Sequence, residues 1–186
     1  MSKFVEQSKQ LMQRQTKKNG APAWRLTEMA VAKGEELAKK YKVDSELVVT
    51  ALYLAHTIFS KIVQDDIQKN HEELSAKFAE KYLKKWKVPA AKREIILNAI
   101  RAHHNKVNAE SKIAEVMKNA ECFKFIQVEG ALIHLHHLGT RGIPFEKAAR
   151  IVEAKAKQKF DYISLKEIKG EAKKSYNEVV KLLKNL

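Results

Sequence analysis

A single cysteine, Cys122, in a chain of 186 residues rules out an internal disulfide, so no covalent staple holds the fold. Such sparing use fits a reducing cytoplasm. Only three prolines and six glycines punctuate the chain. So little turn chemistry favours long helices over many short strands. No run of about 18 apolar residues escapes charge, so no transmembrane helix is expected. The opening stretch, MSKFVEQSKQ, lacks the apolar core of a secretory signal. These scarcities predict a cytoplasmic protein without membrane attachment.

What is plentiful is positive charge. Lys and Arg number 36 against 22 Asp and Glu, a net charge of +14. Such a surface attracts anions: nucleotides, nucleic acid or acidic lipid. The lysines are scattered, and the densest stretch is KYLKKWKVPAAKR, residues 81–93. Its aromatics, Tyr82 and Trp86, fit a core stripe better than a base-stacking platform. Scatter of this kind reads first as a solvated basic surface, with a nucleic-acid-binding stripe as the alternative. Abundant lysine and glutamate equally suit a thermophilic source.

Helical periodicity dominates, with no repeat, linker or long alternating segment. A first helix is expected over about residues 2–15, and a second, opened by Pro22, over about 22–41. A third, capped by Asp44 or Ser45, should run to about Val63 and is apolar nearly all round, as a central helix would be. The fourth begins at Asn70, where Glu73 completes capping-box spacing, and Leu74, Phe78 and Tyr82 make its buried stripe. Pro89 opens the fifth, and Asn108 can cap a sixth that ends at Gly139 and divides readily in two. Two more follow over about 145–160 and 164–185. The fold class is all-α, with about seven or eight helices in one domain spanning 1–186.

Five ionisable side chains stand at apolar positions of these helices. His56 lies inside the most hydrophobic one. His71 is three residues before Leu74, His103 three after Ile100, and His104 four after Ile100. Glu121 is four after Met117 and four before Phe125, so its carboxylate should face the core. A buried charge without a partner costs several kcal/mol, so buried carboxylates are paired or bind metal. Imidazoles and a carboxylate are ligands for Zn²⁺, Mn²⁺ or Fe. The plainer alternative is a set of separate, hydrogen-bonded core histidines, with Glu121 pairing Lys118 or Lys124. His134, His136 and His137, in IHLHHLG, read as a helix end where histidine meets the negative pole of the dipole.

Five stretches in this order resemble the HD superfamily of metal-dependent phosphohydrolases: VDSELVVTALYLAHTIF, HEELSAKFAEKYL, ILNAIRAHH, ESKIAEVMKNAECF and LGTRGIPF. The resemblance implies an all-α helical bundle of the HD type, with a core over about 20–140 and C-terminal helices over about 145–185. It also implies one or two divalent metals that activate water and neutralise phosphate. Carried over residue by residue, it makes His56, His71, His103, His104 and Glu121 the metal-ligand positions. It puts Leu26 at an early ligand histidine, Thr57 where the His-Asp pair has its aspartate, and Asn119 at an earlier acidic position. Arg25, beside Leu26, replaces an acid with a guanidinium suited to phosphate.

The metal motif is thus incomplete, and the remaining donors leave room for one divalent metal (Mn, Fe, Ni, Zn or Mg) or none. Three readings follow. The first is a protein that binds a phosphorylated small molecule or nucleotide without efficient turnover. The second is an active single-metal phosphohydrolase using the retained histidines. The third is a nucleic-acid-binding or assembly protein acting through its basic surface.

Overall fold

A computed structural model describes residues 2–58, 65–104 and 107–185, and the side chains of 65–69 lie outside the description. Among the described residues the fold is all-α, as expected, with nine α-helices, one short 3₁₀ turn and no strand. The helices are α1 (Lys3–Asn19), α2 (Trp24–Lys40), α3 (Ser45–Leu54), α4 (Asp65–Lys85), α5 (Ala90–Ala102), α6 (Lys112–Ile126), α7 (Val128–Gly139), α8 (Phe145–Asp161) and α9 (Lys169–Lys184).

Helix α3 forms for the reasons its sequence gives. The Asp44 carboxylate accepts the Glu46 N–H at 3.0 Å, and every residue from Leu47 to Leu54 is buried. The chain leaves helical conformation sooner than its apolar pattern predicts. Within the described residues α3 stops at Leu54, and Ala55–Ile58 form a turn. The Thr57 hydroxyl donates to the Leu54 carbonyl at 3.0 Å, satisfying one of the oxygens that a helix end exposes. His56 therefore sits in a turn and not within a helix; the expected extension over residues 59–63 lies outside the described residues.

Helix α4 bends at Asn70, whose φ of −126° is not helical. Two helices meet across this kink, so the position read as a helix start does open the second of them. Beyond it the buried side carries His71, Glu72, Ser75, Ala76, Ala79 and Leu83. Leu74, expected in that stripe, is 37% exposed. Helices α4 and α5 pack together, and the Arg101–Glu73 ion pair at 2.7 Å ties them.

Helix α6 is the central rod and packs against α2, α3, α5, α7, α8 and α9. Its cap is Ser111, accepting from the Ala114 N–H at 3.1 Å, and not Asn108. The expected division of the long 108–139 segment occurs at Gln127, whose extended backbone separates α6 from α7. Gly130 makes that corner feasible: a Cβ there would come 1.6 Å from the Lys124 carbonyl oxygen. Buried Asn119 joins α6 to the C-terminal segment. Its Oδ1 accepts from the N–H groups of Ser164 and Leu165, and its Nδ2 donates to Ser164 Oγ and the Glu115 carbonyl. The main core gathers side chains from α1–α6 with Ile163, Leu165, Ile168 and Ala172, and a smaller cluster fills the space among α7, α8 and α9.

Candidate metal centre

Three elements bring the histidines together. His56 comes from the turn after α3, His71 from the turn of α4 after its bend, and His103 and His104 from the residues that end α5. One nitrogen from each of His56, His71 and His103 lies within 4.8 Å of the others, and one donor atom from each of His71, Glu72 and His104 does likewise. The two sets share His71. Glu72 is a carboxylate of the cluster that the sequence pattern did not single out. It is 4% exposed, with Oε2 3.5 Å from His71 Nδ1 and Oε1 3.2 Å from His104 Nδ1.

Hydrogen bonds behind the rings set which nitrogens point inward. His103 Nδ1 lies 2.5 Å from the Ile100 carbonyl oxygen, which only accepts, so Nδ1 carries the hydrogen. Its Nε2 keeps a lone pair, 3.2 Å from His71 Nε2. His56 Nε2 lies 2.7 Å from Glu121 Oε1 and donates to it, which leaves Nδ1 as the lone-pair nitrogen of a neutral ring. A carboxylate or carbonyl holding the far side of an imidazole is the arrangement that orients metal-binding histidines.

Burial is the first cause that keeps the His56, His103 and His104 rings neutral. It pushes His56 below the usual imidazole range, with Glu121 opposing and Lys124 assisting. It pushes His103 and His104 down as well, with neighbouring histidines and Lys159 adding to the effect. Burial alone would raise the Glu121 carboxyl, but Lys124 and His56 outweigh it and hold the group well below the usual range. Lys124 Nζ lies 2.6 Å from Glu121 Oε1, the lysine pairing anticipated from spacing. Glu121 therefore joins the site as the partner of His56 and Lys124, and it is in neither converging donor set. Neutral imidazoles with fixed lone pairs beside a carboxylate suit a borderline divalent cation.

The cluster lies on the wall of a pocket of about 600 Å³. His56, His71, Glu72 and His104 line one part, and Lys124, Lys155, Arg141, His134 and His137 another. Leu26, Ile143, Ile151, Phe125 and Tyr162 supply apolar wall. Leu26 thus occupies the pocket surface without offering a donor. Thr57, fully buried, commits its hydroxyl to the α3 end. Arg25 is not brought to the histidines: it is exposed and forms a two-point pair with Glu129, Nε to Oε1 at 2.6 Å and Nη2 to Oε2 at 3.2 Å.

An all-α bundle that gathers histidines from separate elements under a basic pocket is the frame of a metal-dependent phosphohydrolase-like domain. A family model described as HD domain matches residues 27–183, and the chain belongs to that family. Comparison with curated proteins and with solved structures gives no match. A divalent metal is the typical cofactor of HD domains, and the histidine cluster can hold one. Among the described residues, no helix is long and apolar enough to cross a membrane.

Proposed function

We propose that the chain is a single-metal phosphohydrolase acting on a phosphorylated small molecule or nucleotide. The observation that supports it most is Glu72. The resemblance puts a carboxylate at position 57, where this chain has Thr57, yet Glu72 brings one to His71 and His104 from another element. His56, His71 and His103 would hold the cation, which would supply Lewis acidity to water and to phosphate. Glu72 accepts the proton of the attacking water and returns it to the leaving alkoxide, so the new hydroxyl group remains on phosphorus and the leaving group departs as an alcohol. Lys155 and Arg141 draw the phosphorylated ligand in, and the apolar wall around Leu26 and Ile151 houses its uncharged part.

Metal analysis of protein purified without metal-affinity chromatography tests this reading. About one equivalent of Mn, Fe, Ni, Zn or Mg is expected, lost in His71→Ala and His103→Ala, together with metal-dependent phosphate release from phosphomonoesters or nucleotides. Protein that takes up no divalent ion and releases no phosphate rejects it.

A second reading, binding without turnover, is supported by Thr57 and Leu26, which remove two donors from the family's set. It expects thermal stabilisation by a phosphorylated ligand with no product formed.

A further inference from the structure

Positive charge in the pocket is distributed unevenly. Glu72 is its one acidic lining residue among the described residues, and it stands beside His71 and His104. Lys124, though it lines the pocket, is neutralised by Glu121. Lys155 and Arg141 line it with no carboxylate paired to either among the described residues. The Lys155 ammonium donates to the neutral Gln158 side chain at 3.3 Å, and Arg141, in the turn after α7, is exposed to solvent.

Behind Lys155, one helical turn along α8, Lys159 is fully buried and its Nζ has no hydrogen-bond partner among the described residues. That ammonium lies 5.6 Å from the Phe125 ring centre and 5.8 Å from that of Tyr162, two rings of the pocket wall. Lys155 also lies 5.6 Å from the Phe125 centre. Aromatic faces recompense a desolvated cation only in part. Lys124 stands over the same ring at 5.0 Å, so three lysines share the one carboxylate of Glu121 and form a site that a bound anion would relieve.

We propose that the α7–α8 side of the pocket is a second anion subsite, built from Lys155 and Arg141 with Lys159 behind, so that the ligand carries two anionic groups. One group faces the histidine centre and the other, a phosphate or a carboxylate, meets Lys155. Burial first, and then Lys159 and Lys124 against the opposing pull of Glu121, lower the Lys155 pKa to about 8. The proposal rests on the pocket being the ligand site, but it needs neither a metal nor turnover.

Calorimetric titration of the full chain tests it with three probes that differ in the second anion: glycerol phosphate, phosphoglycerate and propanediol bisphosphate. Each is titrated into protein held in EDTA and, separately, into Mn-loaded protein. A second anion is expected to tighten binding about tenfold or more in both conditions, as a new charge-assisted contact does. Whichever of phosphoglycerate and propanediol bisphosphate gains more identifies the subsite as one for carboxylate or for phosphate. Lys155→Gln should erase the gain. Lys173→Gln, which removes the same charge from the exposed face of α9, should leave it intact. The proposal is overturned by equal affinity for the three probes, by binding of none, by a gain that survives Lys155→Gln, or by one lost equally in Lys173→Gln. A gain in EDTA from a protein that binds no metal would reject the hydrolase reading and keep the subsite. Metal-dependent hydrolysis without the gain would do the reverse.

Discussion

The His56 imidazole and the Glu121 carboxylate meet at 2.7 Å in a place where Glu121 is 1% exposed. The same carboxylate oxygen holds Lys124. Glu121→Leu removes both interactions at once. It leaves a buried ammonium unpaired, which costs about 3–5 kcal/mol in urea unfolding. It also frees the His56 ring, so that Mn affinity should fall about 10–100-fold. Adding Lys124→Met should restore much of the stability, because the orphan charge is gone, but not the metal affinity. Affinity that recovers together with stability would make Glu121 a counter-ion alone.

Glu72→Gln separates metal retention from proton transfer. The histidines stay, so about one equivalent of metal is still expected. Phosphate release should fall about 10²–10⁴-fold, the usual loss when a positioned base is removed. Metal content and kcat measured on one preparation check both. Unchanged turnover would assign the proton to another group.

Lys155 makes stability depend on alkaline pH. Burial, Lys159 and Lys124 lower its pKa from 10.5 to about 8, against the opposing pull of Glu121 and Cys122. The folded chain holds this proton less tightly than the unfolded chain does. The group's unfavourable contribution is therefore fully present below pH 8 and disappears as pH rises from about 8 towards 10.5. Unfolding free energies at about pH 7 and pH 10 should rise in the parent relative to Lys155→Met, which should also be the more stable of the two at neutrality. A difference that does not change with pH would contradict this.

Gly130→Ala should destabilise by about 1–3 kcal/mol, because a new Cβ would collide with the Lys124 carbonyl oxygen rather than with a yielding side-chain tip. Gly170→Ala, on α9 with nothing within 4 Å, should be neutral or stabilising by about 0.4–1 kcal/mol. Thermal melts of the two variants compare them directly.

The helices were legible where local chemistry marks them. Asp44 caps α3, and Pro89 immediately precedes α5. His71, His103 and Glu121 could be picked out because each is ionisable on an apolar stripe. The end of α3 was hidden, since neither glycine nor proline follows Leu54 and the apolar run continues through the turn. Glu72 was missed because it neighbours His71 in sequence, a separation that regular helix geometry turns to another face; both are nonetheless buried just beyond the bend at Asn70. Lys159 did leave a signal. Ala148, Val152, Ala156 and Lys159 follow one buried stripe, the same mismatch that drew attention to Glu121. The ion pair of Arg25 with Glu129 joins residues 104 apart and leaves no local trace.

Asn119 and Glu121 stand two residues apart on α6 and face different tasks. One fastens the chain at Ser164 and Leu165; the other steadies the imidazole of His56. Any disturbance of α6 from its C-terminal buttress is thereby delivered within a single helical turn to the first histidine of the cluster. The last quarter of the polypeptide, though it donates no ligand, acts as a foundation on which the accuracy of the cation-binding geometry depends.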